Sequence, residues 1–258
     1  MRILLANDDG VTAPGIQSLY KELSPTFETY VIAPLEERST TGHSLSLDKP
    51  LRLEKIEENI YGCSGFPSDC VLMGLGHVLK DRRPDVVVSG TNRGANLGQD
   101  LYYSGTIAAA REAAFHKVPS IAVSLVFNAV NEEHRYDVAS TFIKWCLEAG
   151  LHKLCPPMTV LNINVPNVDL KQIKGCKLTE IGFRHYSEEI HARMDARNRE
   201  YFWIAGHYEG FNENPDSDCQ VVKDGFIAIT PHALIDKCNK DYSELGKCIE
   251  RLNAKFSF

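Results

Sequence analysis

The stretch "RILLANDDGVTAPG", residues 2–15, contains a predicted buried strand and the polar residues that follow it. Its apolar run at residues 3–6 is short and uninterrupted, which is typical of a strand buried in a parallel sheet. The run ends in two adjacent carboxylates, Asp8 and Asp9. By itself "NDDG" is equally an ordinary turn, since Asn, Asp and Gly are the commonest turn formers. The choice between turn and functional loop depends on the rest of the chain.

Four further apolar runs repeat the strand pattern. They lie at residues 30–33, 86–89, 121–124 and 160–164. Segments with helical spacing of apolar residues alternate with these runs, at residues 15–23, 69–79, 106–115 and 137–148. Strands that alternate with helices predict a doubly wound α/β fold, a Rossmann-like α/β/α arrangement of three layers with a mostly parallel sheet.

The composition argues against several classes of protein. The formal net charge of −6 opposes broad attraction to a nucleic-acid duplex or an anionic membrane. The chain has no run of about 18 apolar residues, and its first apolar run is too short for a signal peptide. The eight cysteines form no CxxC pair and are expected to be reduced. We therefore expect a cytoplasmic location, with no duplex and no membrane as partner.

The pattern changes in the last third of the chain. The stretches "LTEIGFRHY", "EYFWIAGHYEG" and "GFIAIT" are rich in aromatic and β-forming residues and no longer alternate with helices. They predict an antiparallel β extension. We expect one domain over residues 1–258, with a Rossmann-like core at 1–175 and a β-hairpin arm plus C-terminal segment at 176–258. Exposed aromatic strands need a covering surface, so the arm is predicted to pack on a partner subunit.

Polar side chains collect where the predicted strands end. The first strand leads to Asp8 and Asp9, the second to Ser39 and the third to Asn92. Ligands of open parallel sheets bind beyond the carboxyl ends of the strands, where these loops meet. Adjacent carboxylates repel each other and raise the proton affinity of at least one, unless a cation shares them. Without a nearby His/Cys cluster, such oxygen ligands favour Mg²⁺ or Mn²⁺, with Ca²⁺ also compatible, over zinc.

The loop after the third strand, "SGTNRGANLGQDLYYSGT", is long and rich in glycine and asparagine. Such loops inside compact domains tend to be functional, and glycines leave backbone N–H groups open to a ligand. The loop ends in Ser104, Gly105 and Thr106, directly before an alanine-rich helix. The N-terminus of a helix favours an anion, although Ser104 is also an ordinary N-cap residue. Beside a predicted metal site, the anion is expected to be phosphate.

Several competing enzyme classes lack their motifs here. No GxxxxGK[ST] loop and no GxSxG elbow are present. The haloacid dehalogenase pattern places its nucleophilic aspartate where this chain has Asn7. Receiver domains place a phosphate-accepting aspartate after the third strand, where this chain has Ser89. Both covalent-aspartate schemes therefore lack their nucleophile.

Seven stretches occur in an order that resembles one known family. They are "NDDGVTAPGI", "RSTTGHSLSL", "GFPSDCV", "VVVSGTNRGANLGQDLYYSGTIAAA", "LNINVPN", "EYFWIAG" and "DGFIAITP". On these motifs the chain resembles the survival protein E (SurE) family over essentially its full length. The "NDDG" start and the long glycine-rich loop are the most specific of them.

The resemblance implies a phosphatase that depends on one divalent cation per subunit and acts on nucleoside 5′-monophosphates, with 3′-monophosphates and short polyphosphate as further substrates. It also implies homodimers or homotetramers. The family's metal ligands match Asp8, Asp9, Ser39 and Asn92, and the two aspartates are the catalytic candidates. The family's phosphate contacts match Asn96, Ser104, Gly105 and Thr106.

Three questions stay open at the level of sequence. The same ligands suit a metal-dependent nucleotide sensor that does not hydrolyse its ligand. His43 is either a general acid or a side chain that fixes its loop by hydrogen bonding. Trp203 and Tyr201 stack on a base if the arm reaches the site, and otherwise pack in the core or an interface.

Overall fold

The first strand buries side chains on both of its faces. Ile3 and Leu5 pack into one apolar cluster, whereas Leu4 and Ala6 pack into another. Because successive side chains of a strand point to opposite faces, this sheet is covered on both sides. Burial of both faces is the physical reason why the sequence of this strand is an unbroken apolar run.

The computed structural model describes residues 1–127 and 133–235. Strands and helices alternate through its first part: β1 (Arg2–Ala6), α1 (Pro14–Leu23), β2 (Glu28–Pro34), β3 (Leu53–Glu57), β4 (Ile60–Cys63), α2 (Pro67–Met73), β5 (Val86–Arg93), α3 (Gly105–Phe115), β6 (Ser120–Val126), α4 (Tyr136–Glu148) and β7 (Thr159–Pro166). A π-helical turn, Gly74–Val78, continues α2. The five predicted strands and four predicted helices are confirmed, and the β3–β4 hairpin is an addition.

The strands form a nine-stranded sheet in the order β3-β4-β2-β1-β5-β6-β7-β13-β8, where β8 (Cys176–Leu178) and β13 (Ile227–Ala233) come from the last third of the chain. The six strands from β4 to β7 in this order run parallel. In register, Ile3 of β1 lies between Thr29 of β2 and Val86 of β5. The chain reverses its strand order at β1, which is where open parallel sheets bind their ligands.

Helices cover the two faces of the sheet. Ile16 of α1 and Ile143 of α4 belong to the cluster that contains Ile3. Cys70 of α2 and Ala109 of α3 belong to the cluster on the opposite face. The predicted three-layer α/β/α fold with a mostly parallel sheet is therefore confirmed. No helix within the described residues is long and apolar enough to span a membrane.

The last third of the chain contributes both to the sheet and to a separate extension. β13 pairs antiparallel with β7 and lies inside the main sheet, so "GFIAIT" belongs to the sheet rather than to the extension in which the sequence analysis placed it. Two small ladders stand apart from the sheet: β9 (Arg184–Tyr186) with β12 (Tyr208–Phe211), and β10 (Ile190–Met194) with β11 (Glu200–Ile204). The short helix α5 (Asp218–Lys223) follows them. The division at residue 175 stays a prediction, and residues 236–258, with Cys238 and Cys248, lie outside the described part.

The β10–β11 hairpin is exposed along its whole length. Phe202 is 60% exposed, Trp203 61% and Ile204 92%. A two-stranded hairpin is marginally stable alone in water, and large exposed apolar patches commonly mark interaction surfaces. The apolar arm that the sequence predicts is thus present as a hairpin.

Candidate active site

The carboxyl ends of β1, β2 and β5 bring three polar segments together. The backbone N–H of Arg38, beside Ser39, donates to the backbone oxygen of Asp8 at 2.7 Å. The backbone N–H of Arg93, beside Asn92, donates to Oδ2 of Asp9 at 3.1 Å. The segments that carry the four predicted metal ligands therefore contact one another, as the strand-end argument requires.

Asn7 and Gly10 form the turn that presents the two aspartates. Asn7 is fully buried, and its side-chain amide donates to the Gly10 oxygen at 2.8 Å and accepts from the Gly10 N–H at 3.3 Å. Gly10 has a φ of 108°, which a residue with a Cβ rarely adopts. The turn interpretation of "NDDG" thus holds for its first and last residues. Asp8 and Asp9 are the central residues of that turn, and their carboxylates make none of its hydrogen bonds and contact other groups instead.

Asp8 is the more buried of the two carboxylates. It is 4% exposed, and its Oδ1 accepts a hydrogen bond from the Thr106 hydroxyl at the start of α3. Burial raises the pKa of Asp8 to about 6, and the charge of Asp9 adds to the rise, while the bonds from Thr106 oppose it. The N-terminus of α3 is therefore aimed at a carboxylate that holds its proton more tightly than usual.

Asp9 lies closer to solvent than Asp8. Burial raises the pKa of Asp9, the hydrogen bond and charge of Arg93 lower it, and the charge of Glu37 raises it. Glu37, which follows the second strand, was not among the site residues predicted from the sequence. Two adjacent carboxylates with raised proton affinity are stabilised by a proton or by a shared cation.

Ser39 and Asn92 supply neutral oxygens at the same edge. The Ser39 hydroxyl donates to Oε1 of Glu37 at 2.7 Å, so its oxygen lone pairs stay available. The Asn92 side-chain nitrogen donates to the Gly94 oxygen at 2.9 Å. This bond does not use the Oδ1 atom of Asn92. Two carboxylates, one hydroxyl and one amide oxygen form a hard donor set suited to Mg²⁺ or Mn²⁺. No group of three or more His, Cys, Asp or Glu side chains able to hold a metal occurs within the described residues.

The predicted phosphate residues divide into side-chain and backbone contributors. The Ser104 hydroxyl caps α3 by accepting from the Ile107 N–H at 3.2 Å, so the ordinary N-cap interpretation holds for that side chain. The Thr106 hydroxyl is engaged with Asp8. The first N–H groups of a helix have no acceptor one turn earlier. Gly105 and Thr106 thus offer an anion their backbone more than their side chains.

Asn96 fastens the glycine-rich loop to the sheet. Its amide donates to the Ser124 hydroxyl at 2.8 Å, and its N–H donates to Oδ1 of Asn164 at 3.0 Å. Its backbone oxygen accepts from the amides of Asn162 at 2.7 Å and Asn164 at 3.1 Å. These partners of Asn96 were not predicted from the sequence. The signal was present, because two asparagines in a fully buried strand need partners of this kind.

The buried carboxylate of Asp218 anchors the part of the same loop that follows Asn96. Asp218 is fully buried, and its two oxygens accept from the N–H groups of Gly98 and Gly182, each at 2.9 Å. Arg184 adds an ion pair to Asp100 at 2.5 Å. The loop that carries Asn96 is thereby tied both to the core and to the base of the arm.

His43 is engaged with a glutamate of α3. Its Nε2 lies 2.7 Å from Oε2 of Glu112, whose other oxygen lies 3.1 Å from Nε2 of His116. Burial would raise the pKa of Glu112, but the two histidines lower it on balance. Of the two roles considered for His43, the hydrogen bond that fixes its loop is the one observed.

Comparisons with known proteins show the family of the chain. The family described as "Survival protein SurE" matches residues 3–188. The chain belongs to the SurE family. A 5′-nucleotidase SurE of Pseudomonas fluorescens (strain Pf0-1) is 41% identical over 253 residues, covering 98% of this chain and all of the relative. A 5′-nucleotidase SurE of Geotalea uraniireducens (strain Rf4) is 43% identical over 231 residues, covering 90% and 92% of the two chains.

A solved structure extends the agreement from sequence to fold. The SurE protein from Aquifex aeolicus matches with a TM-score of 0.84 at 34% identity, over 98% of this chain and 100% of that chain. The SurE resemblance that the motifs indicated is therefore confirmed.

Proposed function

We propose that this SurE protein hydrolyses nucleoside 5′-monophosphates to nucleoside and phosphate. The observation that carries the proposal is Asp8, buried against the start of α3 with Asp9 beside it, in a chain whose relatives are named 5′-nucleotidases. A carboxylate pair and a helix N-terminus in one place suit a divalent cation and a phosphoryl group together.

The proposed cation site comprises Asp8, Asp9, Ser39 and Asn92, with one Mg²⁺ or Mn²⁺ per subunit. When bound, such a cation neutralises phosphoryl charge and lowers the pKa of a coordinated water. The buried position of Asp8 and the raised proton affinity of both carboxylates support this assignment.

The residues of the chain then have separate tasks. The backbone of Gly105 and Thr106 holds phosphoryl oxygens, while Asn96 and Ser104 keep the loop and helix in place. Water attacks phosphorus, the bond from phosphorus to the ester oxygen breaks, and the leaving oxygen takes a proton. Asp8 and Asp9 are the groups placed to orient or deprotonate that water, or to protonate the leaving oxygen. Such proton transfer contributes about 10² to 10⁴ in rate.

Phosphate release from AMP and GMP tests the proposal. With Mn²⁺ or Mg²⁺ we expect turnover, and excess EDTA should remove it because the two carboxylates then lack their shared cation. Re-addition of the ion should restore the rate. Nucleotide binding without phosphate release under every ion tried would instead support the sensor alternative. The same panel, with 3′-AMP and tripolyphosphate included, measures the further substrates that the family implies.

The exposed hairpin supports a homodimer or homotetramer joined through the arm. Phe202 and Trp203 project from a ladder that pairs with no other strand in the described part of the chain. We expect the wild-type protein to sediment as an oligomer at micromolar concentration. The double variant Phe202→Ser/Trp203→Ser should shift it toward monomer, whereas Phe115→Ser, on an exposed phenylalanine at the end of α3, should not. A monomeric wild-type protein would contradict this assignment.

We propose the cytoplasm as the site of action. The six cysteines within the described residues are free, which suits a reducing compartment. The proposed organisation is a core at residues 1–175 that holds the site and a segment at 176–258 that mediates assembly.

A further inference from the structure

A cavity of about 730 Å³ opens beyond the carboxyl ends of β6 and β7. Its walls include Val126 and Phe127 after β6, Val168 after β7, Lys223 of α5, and Tyr208 and Phe211 at the base of the arm. None of the residues predicted for the metal or phosphate sites lines it. Its volume is in the range of roughly 300 to 1,000 Å³ typical of small-molecule sites.

The glycine-rich loop of the candidate active site forms part of the cavity wall. Ala95 and Leu97 line the cavity, while Asn96 between them turns to the sheet and bonds Ser124. The loop that lines the cavity is therefore the same loop that leads from Asn92 to the start of α3.

The distance between the two places follows from strand register. Asn92 is the Cα partner of Ser124, and Val126 lies two residues farther along β6 on the same face. A strand spacing of about 4.8 Å and a rise of about 3.3 Å per residue separate Asn92 from Val126 by roughly 8 Å. A ligand of nucleotide size anchored beside Asn92 spans that distance.

The chemistry of the cavity suits a planar ring better than a second phosphate. Tyr208 lies under the Arg184 guanidinium at 4.3 Å, and Phe211 lies under the Lys223 ammonium at 5.3 Å. The charge of Arg184 is already matched by Asp100. Among the residues that the structure describes, Lys223 is the only lining cation without a carboxylate partner, whereas the aromatic rings and apolar walls of the cavity can contact a heteroaromatic ring.

We infer that this cavity takes the heteroaromatic base of the nucleotide whose phosphate is bound at the Asp8–Asp9 site. The inference rests on the proposed nucleotidase function and adds to it the residues that contact the base of the nucleotide. It assigns base contacts to Phe211 and its neighbours rather than to Tyr201 and Trp203, which lie on the exposed hairpin.

Two substrates separate base recognition from phosphate chemistry. AMP carries the base, and ribose 5-phosphate lacks it. Val168→Trp fills the cavity and Phe211→Leu removes a ring, so each should lower the ratio of kcat/KM for AMP to that for ribose 5-phosphate by roughly 10-fold. The matched controls are Val168→Ala, which keeps the cavity open, and Phe226→Leu, on a ring outside its walls. Neither control should lower that ratio by more than about twofold.

Adenosine binding provides a readout that does not depend on hydrolysis. Saturation-transfer NMR should detect adenosine on the wild-type protein, and Val168→Trp should abolish that signal while circular dichroism shows an unchanged fold. If Val168→Trp does not fold, Phe211→Leu decides by the same measurement.

The outcomes distinguish the inference from the function on which it rests. An equal fall for AMP and ribose 5-phosphate, or adenosine binding that survives a folded Val168→Trp, overturns the base assignment. No adenosine binding to the wild-type protein overturns it as well. Absence of phosphate release from both substrates, together with adenosine binding that Val168→Trp abolishes, overturns the nucleotidase proposal and supports the cavity as a nucleoside site.

Discussion

Replacing Asp9 by asparagine should lower phosphate release from AMP by about 10³-fold or more. The substitution keeps the shape of the side chain, so the Arg93 N–H can still donate to its oxygen. It removes one of the two negative charges that the proposed cation shares. Steady-state rates at saturating Mn²⁺ and Mg²⁺ measure the effect.

The fold of the Asp9→Asn variant should be intact, because its neutral amide removes a charge that burial disfavours. Thermal melting in EDTA checks this separately from activity. The matched control is Asp81→Asn, on an exposed aspartate in the turn before β5, which should keep wild-type activity. Activity of Asp9→Asn within tenfold of wild type at saturating Mn²⁺ would contradict the assigned site.

The sheet was predictable where its strands are buried on both faces. β1 and β6 are buried and mostly apolar because helices cover both faces of the sheet. β3, "LEKIE", was not predicted, since it is mostly exposed at the edge of the sheet and carries charged residues. Its turn into β4 depends on Asn59 at a φ of 63°, a local conformation that an apolar pattern does not encode.

The location of the site in the fold was predictable for a similar reason. Parallel strands end at one edge, so Asp8, Asp9 and Asn92 had to lie near one another. Which atoms they offer was not predictable, because Ser104 and Thr106 can use either side chain or backbone. The proximity of Glu37 to Asp9 depends on how the chain turns after β2, where the Arg38 N–H reaches the Asp8 oxygen.

The role of His43 could not be predicted from its neighbours in the sequence. Its partner Glu112 lies 69 residues away on α3, and only the packing of α3 against the loop brings them together. A histidine that follows a predicted metal ligand suggests acid catalysis when the sequence is considered alone. With its ring bonded to a buried carboxylate, it positions the loop that carries Ser39.

Replacing Gly105 by alanine should lower turnover by about 10²-fold, even though alanine is the better helix former. A Cβ at position 105 would lie 2.7 Å from the Asp8 Cβ and 2.9 Å from Oδ2 of Asp8. Real Cβ atoms essentially never approach this closely, so either the aspartate or the start of α3 must move. Either movement displaces the proposed cation ligand from the proposed phosphate position. Rates with AMP at saturating Mn²⁺, and the apparent affinity for Mn²⁺, measure the change.

The matched control for this variant is Gly76→Ala. A Cβ at Gly76, in the π-helical turn after α2, meets nothing within 4 Å. That variant should keep wild-type turnover and equal or higher thermal stability, because alanine restricts the unfolded chain more than glycine does. If Gly105→Ala retained more than half of the wild-type rate, close packing of α3 on Asp8 would not be needed for catalysis. The phosphoryl group would then have to lie elsewhere than at the N-terminus of that helix.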